Sequence, residues 1–407
     1  MKKLNARHKL TARFAAVLAD GRLDCTHTSE KMLAQRVYGL AMGWEDCNDF
    51  DALRRDPLYK LALGSHPASQ PTLSRFENSF EAADLERMSD VLVDVFIDRR
   101  LARPPKRIIL DVDATDDPTH GQQEFDFFSK LYDCHCYVPL LVFGECDGAP
   151  MEILAAVLRP GAGHPGKDAP ALIRRIAKRI KEALPMCEIV IRADGGFSSP
   201  ELYEACEELG LKYLVCVPKN EVLDREAAGH MALARVKRDE TDEAARLYGE
   251  FRYAAGSWKN IERRMIVKAE ALPARAKARD PKVKDNARFV ATNLEGEPEA
   301  LYALYCRRGD CENRIKEMKL DLASGRTSCH RFTANAFRLM LAAITLALLG
   351  LVRDHLANTP LARCTVGQIR LKLLKVAAIV EESTRRLLIR LPRGHPHVPL
   401  LMRLAAN

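Results

Sequence analysis

Tyr305, Arg308, Glu312 and Lys319 bring a phenol, two cations and a carboxylate together at offsets of three, four and seven from one to the next. On an α-helix of about 3.6 residues per turn these offsets fall on one stripe. Cys311, Ile315, Met318 and Leu322 form an apolar stripe beside it. The pattern predicts a single helix with Glu312 at the margin of its buried face, one basic residue a turn before it and another two turns after. A carboxylate so placed can bind a hard cation while its basic neighbours grip phosphate. Arg308, Glu312 and Lys316 also have the spacing of i,i+4 surface ion pairs. Taken alone, the stripe therefore favours a solvated helix face, and it is the carboxylates upstream that reverse the balance.

Asp111 and Asp113 lie two apart in the apolar run 108–112 and its end, so on a strand they share a face. Asp194 ends a second apolar run, 189–191, and is followed by Gly195-Gly196, where backbone and ligand can approach closely. Burying a charge is costly, so an acid ending a buried strand is seldom there for folding; the bland alternative for Asp194 is a turn or capping aspartate. Gathered by a sheet, Asp113, Asp194 and Glu312 would make a carboxylate cage for Mg²⁺, leaving positions for phosphate and water. A pair of such ions can activate water and stabilise the leaving oxygen of a phosphodiester.

The elements that must position these groups follow from periodicity. Residues 1–103 read as helical, with one helix at 29–42 and another starting near Ser69-Gln70-Pro71; the region suits a helix-turn-helix-like DNA module or a plain helical bundle equally well. From 104 to 222 the period changes: strands at 108–112, 137–143 and 151–158, a helix at 169–184, a strand at 188–192, a helix at 200–209 and a strand at 213–217. That order describes an α/β fold, a mixed five-stranded sheet flanked by helices. Residues 223–298 read as a β-rich insertion, with strand-like runs at 247–254, 261–268 and 288–292 and a basic loop at 274–279. Residues 299–355 return to the core with the Glu312 helix and an apolar helix at 339–352, and 356–407 form a basic helical tail.

Composition sets bounds. The chain has 407 residues and a formal net charge of +8. Five Lys/Arg and no acid lie in the first fourteen residues, and the last fifty are Arg/Lys-rich. Basic ends on a neutral middle favour a polyanionic partner, most simply nucleic acid. The twelve cysteines contain no Cys-x-x-Cys pair. Cys134-His135-Cys136 is a poor zinc site, because neighbours on a strand point to opposite faces. With no signal peptide in view, reduced thiols in a reducing cytoplasm are expected. The apolar run 339–352 falls short of the roughly twenty residues a membrane span needs, so no membrane partner is expected. Gly161 to Lys167 fits the first seven places of a P-loop, but Asp168 stands where the Mg²⁺-binding hydroxyl should be and two prolines remove amides from the cradle, so a plain loop is the better reading.

With these residues in place, the chain resembles the bacterial insertion-sequence transposases of the DDE (Asp-Asp-Glu) cut-and-paste class, in the branch marked by Tyr-x2-Arg-x3-Glu-x6-Lys. Tyr305, Arg308, Glu312 and Lys319 carry that signature in full. Asp113-Ala114-Thr115 fits the first family aspartate, which leaves Asp111 the weaker candidate, and Arg192 to Phe197 fits the segment of the second. His120 to Glu124, Ser328-Cys329 through Leu339, Gln35-Arg36 through Pro57 and Thr72 to Arg75 also look like this branch, so the likeness spans nearly the whole chain.

The resemblance implies a ribonuclease H-like core with a β insertion between the second Asp and the Glu. It implies Asp113, Asp194 and Glu312 as catalytic metal ligands for Mg²⁺, with Mn²⁺ able to substitute. It implies that Arg308 and Lys319 clamp phosphates and that Tyr305 bonds one nearby. The partners would be double-stranded DNA, both terminal inverted repeats and target, and a second copy of the chain in a synaptic homodimer. The location would be the bacterial cytoplasm, on the nucleoid. In relatives a Trp of the insertion stacks on a flipped base; Trp258 is the candidate here, against a plain core tryptophan. A transposase-derived DNA-binding protein without catalysis and a structure-specific nuclease on the same core are the alternatives.

Overall fold

A computed structural model describes residues 1–22, 25–164, 166–258, 260–273, 284–383 and 385–406. The basic loop expected at 274–279 lies outside the described residues. The strands in chain order are β1 (Arg107–Ala114), β2 (Asp117–Pro118), β3 (Phe127–Ser129), β4 (Cys134–Tyr137), β5 (Leu140–Cys146), β6 (Glu152–Val157), β7 (Glu188–Ala193), β8 (Lys212–Val217), β9 (Ala245–Tyr253), β10 (Arg263–Ala271) and β11 (Asn286–Thr292). Eight of them form one mixed sheet in the order β6-β5-β1-β7-β8-β11-β10-β9, while β2, β4 and β3 form a small sheet of their own.

Only the β1–β7 and β7–β8 pairs are parallel; the other ladders of the large sheet are antiparallel. The helices Ala169–Ala183 and Pro200–Glu208 supply the crossovers that parallel neighbours require. Ile173, Ile176, Ala177 and Ile180 recur at helical spacing and are buried, which is why the first of these helices lies on the sheet.

The sheet has eight strands where five were expected. The stretch read as a separate insertion contributes β9, β10 and β11 to the same sheet, because β11 pairs with β8 from Leu214 to Val217. It also begins with two helices, Glu221–Glu226 and Ala228–Thr241, before its strands. The expected strand 137–143 is in fact two elements, β4 and β5, broken at Val138-Pro139. The C-terminal region is not all helix: Ile379–Glu382 and Leu387–Arg390 pair as a hairpin.

The helical N-terminal region shares one hydrophobic core with the long helix Phe332–Asp354. Polar ties reinforce this: buried Glu77 accepts from Arg36 and, at 3.1 Å, from Arg338 on the long helix. That helix is 23 residues long, more than the apolar run suggested, and passes by length and hydropathy for a membrane span. Its apolar window is, however, 83% buried inside the protein, as a core helix requires. All twelve cysteines are free thiols.

Candidate active site

Alternation along β1 decides which of its side chains reach the site. Ile108, Leu110 and Val112 pack into the core on one side of the sheet, and Ile109 packs with Val190, Leu301 and Tyr302 on the other. Asp111 and Asp113 have the parity of Ile109. They therefore face the side on which helix Pro298–Cys306 lies. The parallel register pairs Val112 with Ala193, so Asp113 and Asp194 follow at the neighbouring ends of β1 and β7. The last turn of the incoming helix delivers Arg308 to the same place.

The segment carrying the four-residue signature is not one helix. Helix Pro298–Cys306 ends, the chain turns at Arg307-Arg308, and a second helix, Gly309–Lys316, begins. A π turn, Glu317–Asp321, continues it; such turns re-aim side chains and recur at functional sites. The apolar stripe is buried as expected, with Cys311, Ile315, Met318 and Leu322 all in the core.

One guanidinium joins the three carboxylates. The Arg308 Nη2 lies 2.8 Å from Asp113 Oδ2 and 3.6 Å from Asp194 Oδ2, and its Nη1 lies 3.3 Å from Glu312 Oε1. The carboxylate side chains are 9, 43 and 54% exposed in that order, so the cluster is buried at Asp113 and opens to solvent at Glu312. Burial pushes the Asp113 carboxyl up to about 6, with Asp194 and Glu312 adding to the rise and Arg308 opposing it. Desolvation weakens the charge of Arg308, but Asp113 and Asp194 hold it protonated.

Both aspartates are oriented by backbone. Asp113 Oδ1 accepts from the Ala114 N–H at 2.9 Å, and Asp194 Oδ1 accepts from the Gly196 N–H at 2.9 Å. Asp194 is thus the turn-capping aspartate of the bland reading and a member of the cluster at once, using a different oxygen for each.

Among the described residues, no group of three or more His, Cys, Asp or Glu side chains could hold a metal ion as they stand; that includes Cys134-His135-Cys136. In the carboxylate cluster the central positive charge is Arg308's own. The donor set nevertheless fits a hard divalent cation: three carboxylates from separate elements face one cationic centre, and oxygen ligands of this kind suit Mg²⁺ or Mn²⁺.

Lys319 is drawn to the same end of the sheet. Its Nζ donates to the Asp116 carbonyl at 2.6 Å, to Asp116 Oδ1 at 3.0 Å and to Thr115 Oγ1 at 3.3 Å. Burial acts to raise the Asp116 carboxyl, yet Lys319 holds it below the usual carboxylate range. Tyr305 stands beside Arg308 and is hydrogen-bonded to the Cys216 thiol on β8; burial pushes its hydroxyl far up.

Trp258 does not join them. It is 3% exposed and packed edge-on against Tyr203 at 5.1 Å and Tyr253 at 5.4 Å, with the Arg263 guanidinium 5.3 Å from its ring. Its indole faces the core, where large apolar area is best used, and is not offered to a base.

Several contributors were not singled out from the sequence. Asp111 is fully buried and bonded bidentately to Arg192 at 2.6 and 2.7 Å. Arg192 also reaches Glu145 on β5 at 3.3 Å and the Leu304 carbonyl at 2.6 Å, and Glu145 in turn pairs with Arg307. Two core strands are thereby tied to the helix that presents Tyr305 and Arg308. Asp116 was visible only as a neighbour of Thr115. Tyr132 comes from a loop without periodicity; burial raises its hydroxyl to about 12, with Asp116, Asp113 and Asp194 adding to the rise. The P-loop-like segment lines a cleft next to Asp194 with Gly161 to His164; its Pro165 lies outside the described residues.

No curated protein matches the chain. The family model described as Transposase DDE domain group 1 matches residues 1–407, the whole chain, and the protein therefore belongs to the DDE-domain transposases.

Proposed function

We propose that this transposase cleaves DNA at the ends of an insertion sequence and joins those ends to target DNA, through a ribonuclease H-like core in which Asp113, Asp194 and Glu312 are the catalytic carboxylates. The observation that carries the reading is the convergence of those three acids, from three distant stretches of chain, on the single guanidinium of Arg308. The branch signature Tyr305, Arg308, Glu312 and Lys319 supports it, since each member lies at or beside the C-terminal ends of β1, β7 and β8. In open sheets with parallel strands, ligands bind at such ends.

The chemistry would run in two displacements. A water oxygen attacks the phosphorus at the element's end, the bond to the 3′-oxygen breaks, and a 3′-hydroxyl is freed. That hydroxyl oxygen then attacks a target phosphodiester and displaces a target 3′-oxygen. Asp113, Asp194 and Glu312 would hold Mg²⁺ or Mn²⁺, which when bound polarises the phosphoryl group and makes water a better nucleophile. Arg308 would turn its donors from carboxylate to phosphate oxygens, for which its planar fork is equally suited. Lys319 would steady the Thr115-Asp116 backbone beside Asp113 and present charge to the flanking phosphate, and the Tyr305 hydroxyl would exchange its thiol partner for a phosphate oxygen. Basic ends and a +8 net charge favour a duplex DNA partner. Two ends brought together call for a homodimer on DNA, at work on the nucleoid in the bacterial cytoplasm.

The test is Mg²⁺-dependent nicking of a duplex carrying the element's terminal repeats, by the wild type and by Asp113→Asn and Glu312→Gln. Cleavage should vanish in both variants; full activity in either refutes the assignment. Because Arg308 fills the centre of the cluster, a transposase-derived DNA binder without catalysis is the second reading. Binding without cleavage by the unmutated chain, with Mg²⁺ or Mn²⁺ supplied, would favour that alternative. A strand-transfer assay separates transposition from a structure-specific nuclease.

A further inference from the structure

The hairpin of β3 and β4 and its approaches leave large apolar side chains in solvent. Phe125, Phe127, Phe128 and Leu131 are 54, 44, 49 and 64% exposed, the densest such run among the described residues. Packing does not explain them, and exposed patches of this kind mark binding sites. Phe128 and Tyr132 form one side of a cleft of about 640 Å³, with Lys130 alongside; Gly161, Ala162 and Gly163 line it too, and Ala114, Asp194 and Gly196 bring it to the carboxylate cluster.

The shape of the cleft is set by backbone. A Cβ on Gly161 would stand 2.1 Å from the Cys136 carbonyl oxygen and 2.5 Å from that of Phe127. Only a glycine lets this strand of loop press against the hairpin, and the small residues after it leave the wall nearly free of side chains. Phe128 is steadied from behind by an edge contact with His135, ring centroids 5.7 Å apart. The result is a slot with ring faces on one side, bare backbone on the other, a lysine alongside and a catalytic carboxylate at one end.

We infer that this cleft is a nucleobase subsite, which takes an unstacked base of the nucleotide next to the phosphate at Asp113 and Asp194, with Phe128 and Tyr132 as its stacking faces. The inference rests on the phosphodiester chemistry proposed above and adds to it the residues that grip the strand. Aromatic rings beside a positive charge are how proteins hold unpaired bases. The volume is in the range of small-ligand sites. A protein partner would not need the slot to open on Asp194, whereas a nucleotide joined to the reacting phosphate must lie within one backbone step of it.

The probe is a short single-stranded oligothymidylate with one central 2-aminopurine, in EDTA so that no cleavage is needed. Anisotropy reads binding, and 2-aminopurine fluorescence reads stacking. The wild type should quench the fluorescence on binding. Phe128→Ala combined with Tyr132→Ala should bind roughly ten- to a hundred-fold more weakly and lose the quench, and Phe128→Trp should keep it. Circular dichroism of each variant shows whether it has folded, and Phe128→Ala alone, at a half-exposed position, serves if the pair does not. Binding by the wild type without quenching, or unchanged affinity and quenching in the alanine variants, overturns the inference and leaves the cleavage reading intact. A wild type that binds no DNA overturns both. Sedimentation that finds the alanine variants monomeric where the wild type is dimeric, with quenching unchanged, assigns the patch to a second copy of the chain and overturns the inference.

Discussion

Arg308 donates to Asp113 across 2.8 Å, and the same guanidinium reaches Asp194 and Glu312. The positive charge at the centre of the carboxylate cluster is therefore covalently part of the protein. A divalent cation and Arg308 compete for the same oxygens, and a phosphate and those oxygens compete for the same guanidinium. Entry of substrate and metal together would resolve both competitions with one movement of one side chain.

Arg308→Ala separates the two. With the guanidinium gone, Asp113, Asp194 and Glu312 repel one another without a counter-charge, so Mn²⁺ should bind more tightly than in the wild type. Cleavage should fall by about a hundred-fold or more, the usual cost of losing a donor to a developing phosphate charge. Titration with Mn²⁺ followed by electron paramagnetic resonance reads the first effect and a nicking assay the second. Weaker or unchanged Mn²⁺ affinity would show that these oxygens are not the ion's ligands.

Arg192→Leu probes the layer beneath. Arg192 is fully buried and bonded to Asp111, Glu145 and the Leu304 carbonyl. Removing one partner of such a network strands the others as uncompensated charges, at a cost of about 3–5 kcal/mol. Urea denaturation should show this loss, and a change under about 1 kcal/mol would contradict the role given to the network. Arg192→Leu combined with Asp111→Leu should recover part of the stability, because the stranded carboxylate goes too.

How much of this could be read beforehand depends on the range of the interaction. The strands bearing Asp113 and Asp194 were legible because β-branched, apolar runs end there, and period two put Asp113 on one face without any knowledge of its neighbours. The helical phase of Cys311, Ile315, Met318 and Leu322 was legible too, but the turn at Arg307-Arg308 was not: the helical phase of Tyr305, Arg308 and Glu312 runs on across it unbroken. β9 to β11 read locally as strands. That they extend the main sheet depends on the pairing of β11 with β8, a long-range contact with no local signal. Trp258 shows the same limit, since an aromatic in a strand-rich stretch looks alike whether its ring meets Tyr203 or solvent. Asp111 and Asp113 are indistinguishable by spacing, and only the buried Arg192 on the next strand assigns Asp111 to structure.

Asp117 should make stability fall as pH rises. It is 1% exposed, neither carboxylate oxygen has a hydrogen-bond partner, and burial lifts its pKa to about 7 against the pull of Lys319. Unfolded, it titrates near 4. The folded chain thus holds the proton more tightly, and the stability linked to it is complete below about 4 and lost as pH climbs towards 7. Asp117→Asn removes that slope and should stabilise the protein above pH 7 by about 1–3 kcal/mol. Denaturation curves at acid and alkaline pH test this; a difference between variant and wild type that does not move with pH would rule it out.

Gly161→Ala links packing to the cleft. The obstacle is space, since the new methyl would meet the carbonyl oxygens of Cys136 and Phe127, which are backbone and cannot rotate away. The loop must then lift from the hairpin or the hairpin must open. Overpacking of this kind costs about 1–3 kcal/mol, so the melting temperature should drop by several degrees, while Asp113, Asp194 and Glu312, held by β1, β7 and the second helix, keep their places. The variant should therefore cleave a duplex whose end is already unpaired at nearly the wild-type rate, yet lose most of the 2-aminopurine quenching that an intact slot provides. Equal losses in both assays would mean that the cleft and the carboxylates are not separable, and that Phe128 and Tyr132 matter to the fold more than to the strand.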